Sequence, residues 1–114
     1  MTLGEKQREF PLAVAALITW AYQEGYEITF GEAYRTPEQA EWNAQQGKGI
    51  ANSLHTKRLA VDLNLFKEGE YLTRSEDYAP LGQKWKTLHP LACWGGDFSR
   101  PDGNHFSFEH EGVR

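Results

Sequence analysis

The sequence holds one cysteine and one methionine, and it has neither an excess of basic residues nor a long apolar stretch. A lone Cys93 closes no internal disulfide and supplies no paired thiolates for a structural zinc, so any metal must be held by imidazole and carboxylate. Beside Trp94, with no His or Asp to orient it in sequence, this thiol reads as buried and structural rather than nucleophilic. Lys and Arg number 12 against 16 Asp and Glu, for a net charge of -4, and the cations are scattered instead of gathered into a stripe. That pattern excludes an electrostatically driven nucleic-acid binder. The longest apolar run, residues 12–20, is too short to span a bilayer, and residues 1–5 lack the basic start of a secretory signal. No membrane insertion is expected, and no export route of the chain's own. The glycine-rich stretch 47–53 lacks the Lys-Ser/Thr spacing of a phosphate loop.

What is present fits one folded unit. At 114 residues the chain has the size of an average domain, and four tryptophans supply large side chains for a small core. A single domain spanning 1–114 is expected. Thr2-Leu3-Gly4-Glu5 has the form of a capping box, and Phe10, Val14, Leu17 and Ala21 then recur at helical steps up to a stop at Gly25. Pro11 is awkward in that helix and is expected to kink it or mark a restart. Tyr26-Glu27-Ile28-Thr29-Phe30 alternates as a strand does. Thr36-Pro37-Glu38-Gln39 is a second cap signature, with Gln39 able to close the box and Gly47 as the stop. Val61, Leu63 and Leu65 share one strand face, and Ala60, Asp62 and Asn64 share the other. A further helix carries Leu81, Trp85 and Leu88 and ends at Pro90. His105-Phe106-Ser107-Phe108 alternates again, with His105 opposite the two phenylalanines.

Two short stretches carry the chemistry. His55 and Asp62 lie seven positions apart, which suits chelation if a loop or tight turn brings His55 back beside a strand residue. His105 would add a third ligand from a distant strand. Two His and one Asp leave one zinc position open for water, the arrangement of a hydrolytic rather than a structural site. Asp102, three residues before His105, is the candidate general base. Asp97 competes with it, but after Gly95-Gly96 it is expected to fix a turn through Asx-type hydrogen bonds. Arg35, just before a capped helix, is the best-placed cation for a developing oxyanion, and Ser53 could orient the loop or donate to substrate. Each has an ordinary alternative: a surface histidine, a turn aspartate, a surface ion-pair arginine. Asp62 is the hardest to explain so, because Asp is disfavoured in strands and needs a compensating partner. His89 and His110 read as structural.

Taken together, Tyr34-Arg35-Thr36-Pro37-Glu38-Gln39, Ser53-x-His55 with Asp62 behind it, Trp94-Gly95-Gly96-Asp97-Phe98 and Asp102-x-x-His105-Phe106 resemble the zinc D-Ala-D-Ala carboxypeptidase and L-alanyl-D-glutamate endopeptidase family. That family shares its fold with the N-terminal signalling domain of hedgehog proteins. The resemblance implies an α+β domain whose small antiparallel sheet carries the metal, with helices packed on one side. It implies zinc on His55, Asp62 and His105, a catalytic Asp102, and Arg35 assisting substrate or transition state. An Asp as base with Trp-Gly-Gly-Asp looks closest to the bacteriophage endolysin branch. The implied function is a monomeric metallopeptidase that cuts the L-Ala to D-Glu bond of the peptidoglycan stem peptide in cell wall degradation. By the same analogy it waits in the host cytoplasm until a holin opens the membrane and admits it to the periplasm. The alternatives are a D,D-carboxypeptidase or dipeptidase of the same fold and a non-catalytic, zinc-stabilised cell-wall-binding module. The chain departs from many members at Lys57-Arg58-Leu59, where they have a glycine in the turn before Ala60.

Overall fold

The computed structural model of the chain describes all 114 residues. Thr2 accepts a hydrogen bond from the Glu5 N–H, and the Glu5 carboxylate accepts one from the Thr2 N–H at 2.9 Å, which closes the capping box. Helix α1 (Leu3–Gln23) follows and buries Phe10, Ala13, Leu17 and Ala21. It does not restart at Pro11. The proline sits on the exposed face, and the buried stripe continues on both sides. Gly25, at a φ of 88°, turns the chain into β1 (Tyr26–Phe30).

Thr36 caps α2 (Pro37–Gln45) by accepting from the Gln39 N–H at 3.1 Å. The second half of the expected box is absent, because the Gln39 side chain donates to Asn43 Oδ1 at 2.7 Å instead of reaching back. After a polar loop come β2 (Ala60–Lys67), β3 (Glu70–Tyr71), α3 (Ala79–Leu88), β4 (Ala92–Trp94) and β5 (His105–Phe108). The sheet is antiparallel in the order β1-β2-β5-β4, and β3 pairs with the far end of β2. The fold is α+β. Strand β4 has no signature in the sequence, since three residues are too few to display a period.

Alternation along β2 and β5 sorts the two faces of the sheet. Val61, Leu63, Leu65, Phe106 and Phe108 form one core with Phe10 and Leu17 of α1 and Leu81 and Trp85 of α3. Trp85 is fully buried, stacks on Phe108 at 5.6 Å and meets Phe10 edge-on at 5.7 Å. Its indole N–H donates to the carbonyls of Cys93 at 3.0 Å and Ser107 at 3.2 Å, so one side chain pins β4 to β5 from the helical side. Asp62 and His105 face the other way, off the core. Cys93 is half-buried, and burial pushes its thiol above the ordinary value, in keeping with an inert side chain. No helix is long and apolar enough to cross a membrane.

Tyr78 ties the helical layer to the sheet. Its buried hydroxyl accepts from the Leu65 N–H at 3.0 Å and donates to the Leu72 carbonyl at 2.9 Å. Tyr78→Phe would leave the Leu65 N–H buried without an acceptor, and the expected loss is about 1–3 kcal/mol in chemical denaturation. An unchanged unfolding midpoint would contradict this role.

Candidate metal centre

His55 reaches the sheet on a single 3-10 turn, Leu54–Lys57. Ser53 caps it: the buried Oγ accepts from the His55 N–H at 3.2 Å, and Thr56 Oγ1 donates to the Ser53 carbonyl at 2.6 Å. The structure thus gives Ser53 an orienting part. The turn closes at Arg58, which takes the left-handed conformation at φ 58°, ψ 34°. It lies within Lys57-Arg58-Leu59, the turn in which the resemblance leads one to expect a glycine. The left-handed geometry costs a non-glycine residue about 1–2 kcal/mol. The Arg58 guanidinium lies 4.1 Å from the centre of the Tyr34 ring, a cation–π contact that offsets about 0.5–1 kcal/mol of that cost. His55 Nδ1 stands 3.0 Å from the Ala33 carbonyl. A carbonyl only accepts, so Nδ1 carries the proton and Nε2 presents its lone pair to the site.

Asp62 and His105 are direct cross-strand partners in the β2–β5 pair, so their side chains leave the same face. Gly31 lies alongside, and a Cβ there would stand 3.0 Å from the Asp62 Cβ, so the missing side chain keeps the carboxylate's flank clear. Asp62 Oδ1 is 3.4 Å from His55 Nε2 and 3.6 Å from His105 Nδ1. These separations are too long for good hydrogen bonds, and Asp62 Oδ1 and His105 Nε2 are buried without a partner. One donor atom from each of the three residues lies within 4.8 Å of the others. Two imidazoles and a carboxylate, converging in this way, fit zinc in ligand type and in number. Burial works to raise the Asp62 carboxyl, but the imidazoles of His105 and His55 outweigh it and hold it at about 2. For His55, burial opposes the charged form, yet the Asp62 carboxylate and the Ala33 carbonyl prevail and raise it above the ordinary imidazole value.

Asp102 stands at the turn into β5, clamped on three sides. Its N–H donates to the Gly95 carbonyl at 2.9 Å, and its own carbonyl accepts from the His105 N–H at 3.1 Å. The Trp94 indole donates to the Gly103 carbonyl at 2.7 Å, and the Gly103 N–H donates to Ser75 Oγ at 3.0 Å. A Cβ on Gly95 would sit 2.1 Å from the Asp102 carbonyl oxygen, so only glycine allows this approach. The Trp94-Gly95 pair therefore positions the Asp102 turn. Surrounding protein desolvates the Asp102 carboxyl and pushes it above the ordinary carboxylate value, with Asp62 adding to the rise and the imidazoles opposing it. Asp97 makes no Asx turn; it accepts from Lys86 Nζ at 2.7 Å, because α3 brings that ammonium across the loop.

Arg35 donates its backbone N–H to the His55 carbonyl at 3.2 Å and binds Glu32 through both Nε and Nη2. The same Glu32 oxygen lies 3.9 Å from His55 Nδ1. Glu32 was missed in the sequence, although an acid three residues before Arg35 is the available signal; Ser75 left none. His89 stacks on Phe108 at 4.2 Å and bonds Glu9 at 2.9 Å, and His110 meets Lys6 at 3.1 Å, both away from the cluster.

A model of the D-alanyl-D-alanine carboxypeptidase family matches residues 46–108, more than half of the chain and the span that contains His55, Asp62, Asp102 and His105. The chain belongs to this family. Membership makes it a zinc peptidase. Among solved structures it is similar to the L-Ala D-Glu endopeptidase ChiX of Serratia marcescens, with a TM-score of 0.71 and 21% identity over 93% of this chain and 85% of that one. It is also similar to a mutant of the vancomycin-resistance D,D-pentapeptidase VanY from a VanB-type cassette in complex with Zn(II), with a TM-score of 0.61 and 20% identity over 88% of this chain and 70% of that one. At these identities the likeness establishes the fold. No curated protein sequence matches the chain.

Zinc and protons compete for the same imidazole nitrogens, and a raised His55 keeps its proton to a higher pH. Zinc affinity should therefore fall as pH is lowered, beginning above the ordinary imidazole value of 6.5. Competition with a chromogenic chelator from about pH 8 to about pH 5 measures this; an affinity constant across that range would rule out imidazole ligation.

Proposed function

We propose that the chain is an endolysin-type L-alanyl-D-glutamate endopeptidase that cleaves the peptidoglycan stem peptide, with His55, Asp62 and His105 holding zinc, Asp102 as general base and acid, and Arg35 assisting substrate binding. The observation that carries this reading is the convergence of one donor atom from each of His55, Asp62 and His105 within 4.8 Å. Zinc bound there would supply Lewis acidity, which activates water near neutral pH and polarises a carbonyl. Asp102 then moves the proton: a carboxylate oxygen takes it from the attacking water and delivers it to the departing amine nitrogen of D-Glu. Its raised carboxyl suits both halves of that transfer. Arg35, aimed by the fork to Glu32, offers its remaining N–H donors to the carbonyl oxygen as negative charge develops. Ser53 serves substrate by holding the His55 turn in place.

Residues 1–114 act in this proposal as one catalytic unit around one core, working as a monomer. The bacteriophage setting, with the enzyme held in the cytoplasm until a holin opens the membrane, belongs to the same reading. A second reading, D,D-carboxypeptidase or dipeptidase activity, is favoured by the description of the matching family itself.

Products from purified muropeptides separate the two by mass: a new D-Glu amino terminus for the endopeptidase, released D-Ala for the carboxypeptidase. Chelation should abolish cleavage and zinc should restore it. Asp102→Asn should keep zinc and lose about 10²–10⁴-fold in kcat. Full activity in Asp102→Asn would remove it from the mechanism, and a zinc-loaded protein that binds sacculi and releases nothing would be a cell-wall-binding module.

A further inference from the structure

Two grooves are lined by neighbours of the candidate residues, and their charge differs. One, on the Asp102 side, is lined by hydroxyls of Tyr71, Thr73, Ser75 and Tyr78 and by Asp102 itself, so an anion is repelled there. The other, of about 480 Å³, is lined by Ile50, Asn52, Phe98, Ser99, Arg100 and Arg114 among others, with no acidic side chain in its wall. Both of its walls lead to the candidate ligands. Asn52 directly precedes the Ser53 cap of the His55 turn, and the Phe98 ring packs 5.4 Å from the His105 ring.

The two arginines are uncommitted. The protein's arginine ion pairs engage Arg35 and Arg74, whereas Arg100 and Arg114 have no carboxylate within ion-pair distance. The Arg114 guanidinium carbon lies 5.2 Å from the centre of the Phe98 ring, a cation–π contact that uses none of its N–H donors on a hydrogen-bond acceptor. In a chain of net charge -4, two arginines outside any ion pair, in a groove whose wall carries no acidic side chain, form a local exception. Arg35 is placed differently: its Nε and Nη2 are held by Glu32, and its remaining donors are assigned to the scissile carbonyl.

We infer that the Arg100–Arg114 groove is a carboxylate-binding subsite that recognises the free α-carboxylate of the stem-peptide residue on the leaving-group side of the cut. This rests on the endopeptidase reading above. In a γ-linked D-Glu the α-carboxylate hangs off the chain next to the scissile bond, so it needs a cationic pocket at the edge of the metal centre and not at the far end of a long cleft. Guanidinium forks suit a planar carboxylate better than an ammonium does. The groove therefore sets a preference between free D-Glu stems and stems in which that carboxylate is amidated.

The test compares two synthetic peptides, L-Ala-γ-D-Glu-L-Lys and its D-isoglutamine counterpart, on the zinc-loaded protein. The free acid should be cleaved with a kcat/KM about tenfold to a hundredfold higher, expressed mainly in KM. In Arg100→Gln with Arg114→Gln that ratio should collapse to near one, and in Arg100→Glu it should invert. Both residues are exposed, so these variants should fold, and zinc content checks that they do. Equal cleavage of both peptides by the unaltered protein, or an unchanged ratio in the double variant, would overturn the subsite while leaving the endopeptidase reading intact. Cleavage of neither peptide, with release of D-Ala from a pentapeptide, would instead overturn the endopeptidase reading and the subsite with it.

Discussion

The register of β2 against β5 places Asp62 directly across from His105, and the rest of the structure is arranged around what that pairing demands. A carboxylate on a central strand, half-buried between two imidazoles, is poorly solvated and poorly hydrogen-bonded. Buried charge of this kind is costly unless it is paired, and imidazoles at 3.4 and 3.6 Å pair it incompletely. A divalent cation held there would resolve the conflict by giving each donor the partner that the protein withholds. Slipping the register by one residue would send Asp62 into the core and Val61 to the metal side, so the apolar face of the sheet protects the geometry of the site.

The loop bearing His55 is built to serve that pairing. The chain must reverse within a few residues of β2, and it does so through a left-handed Arg58 instead of a glycine. Stacking on Tyr34 gives Arg58 a local reason to accept the strain, and it fastens the turn to the segment that carries Ala33, Glu32 and Arg35. One short stretch thus aims both the first imidazole and the nearby guanidinium. On the opposite flank, Gly95 and Trp94 hold the Asp102 turn from below, and Ser75 holds it from the side. Those contacts explain why a Trp-Gly pair sits so far in sequence from the acid it positions.

The candidate cluster of His55, Asp62 and His105 was legible because its residues stand in awkward places. Asp62 interrupts an alternating strand, and Asp102-x-x-His105 opens another. Both helix caps followed from local spacing, with Thr2 and Thr36 as the cap residues, whereas the α+β class came from the family resemblance. Position in space was less legible. Glu32 is invisible as a partner of His55 until the 3-10 turn folds over it, and β4 is specified by the buried Trp85 bridge and not by its own three residues. Pro11 misled as a restart, because the buried stripe of α1 runs on past it while the ring itself lies on the exposed face. Asp97 misled because tertiary structure supplied Lys86 where sequence offered only a turn.

The central claim is that three side chains from distant parts of the chain converge on one zinc ion. An anomalous-scattering map of the zinc-loaded protein, collected across the zinc absorption edge, tests it most directly. The account requires a single peak about 2.0–2.2 Å from an imidazole nitrogen of His55, a carboxylate oxygen of Asp62 and an imidazole nitrogen of His105, with no fourth protein ligand. A peak elsewhere, or one closed by a fourth side chain, would contradict it.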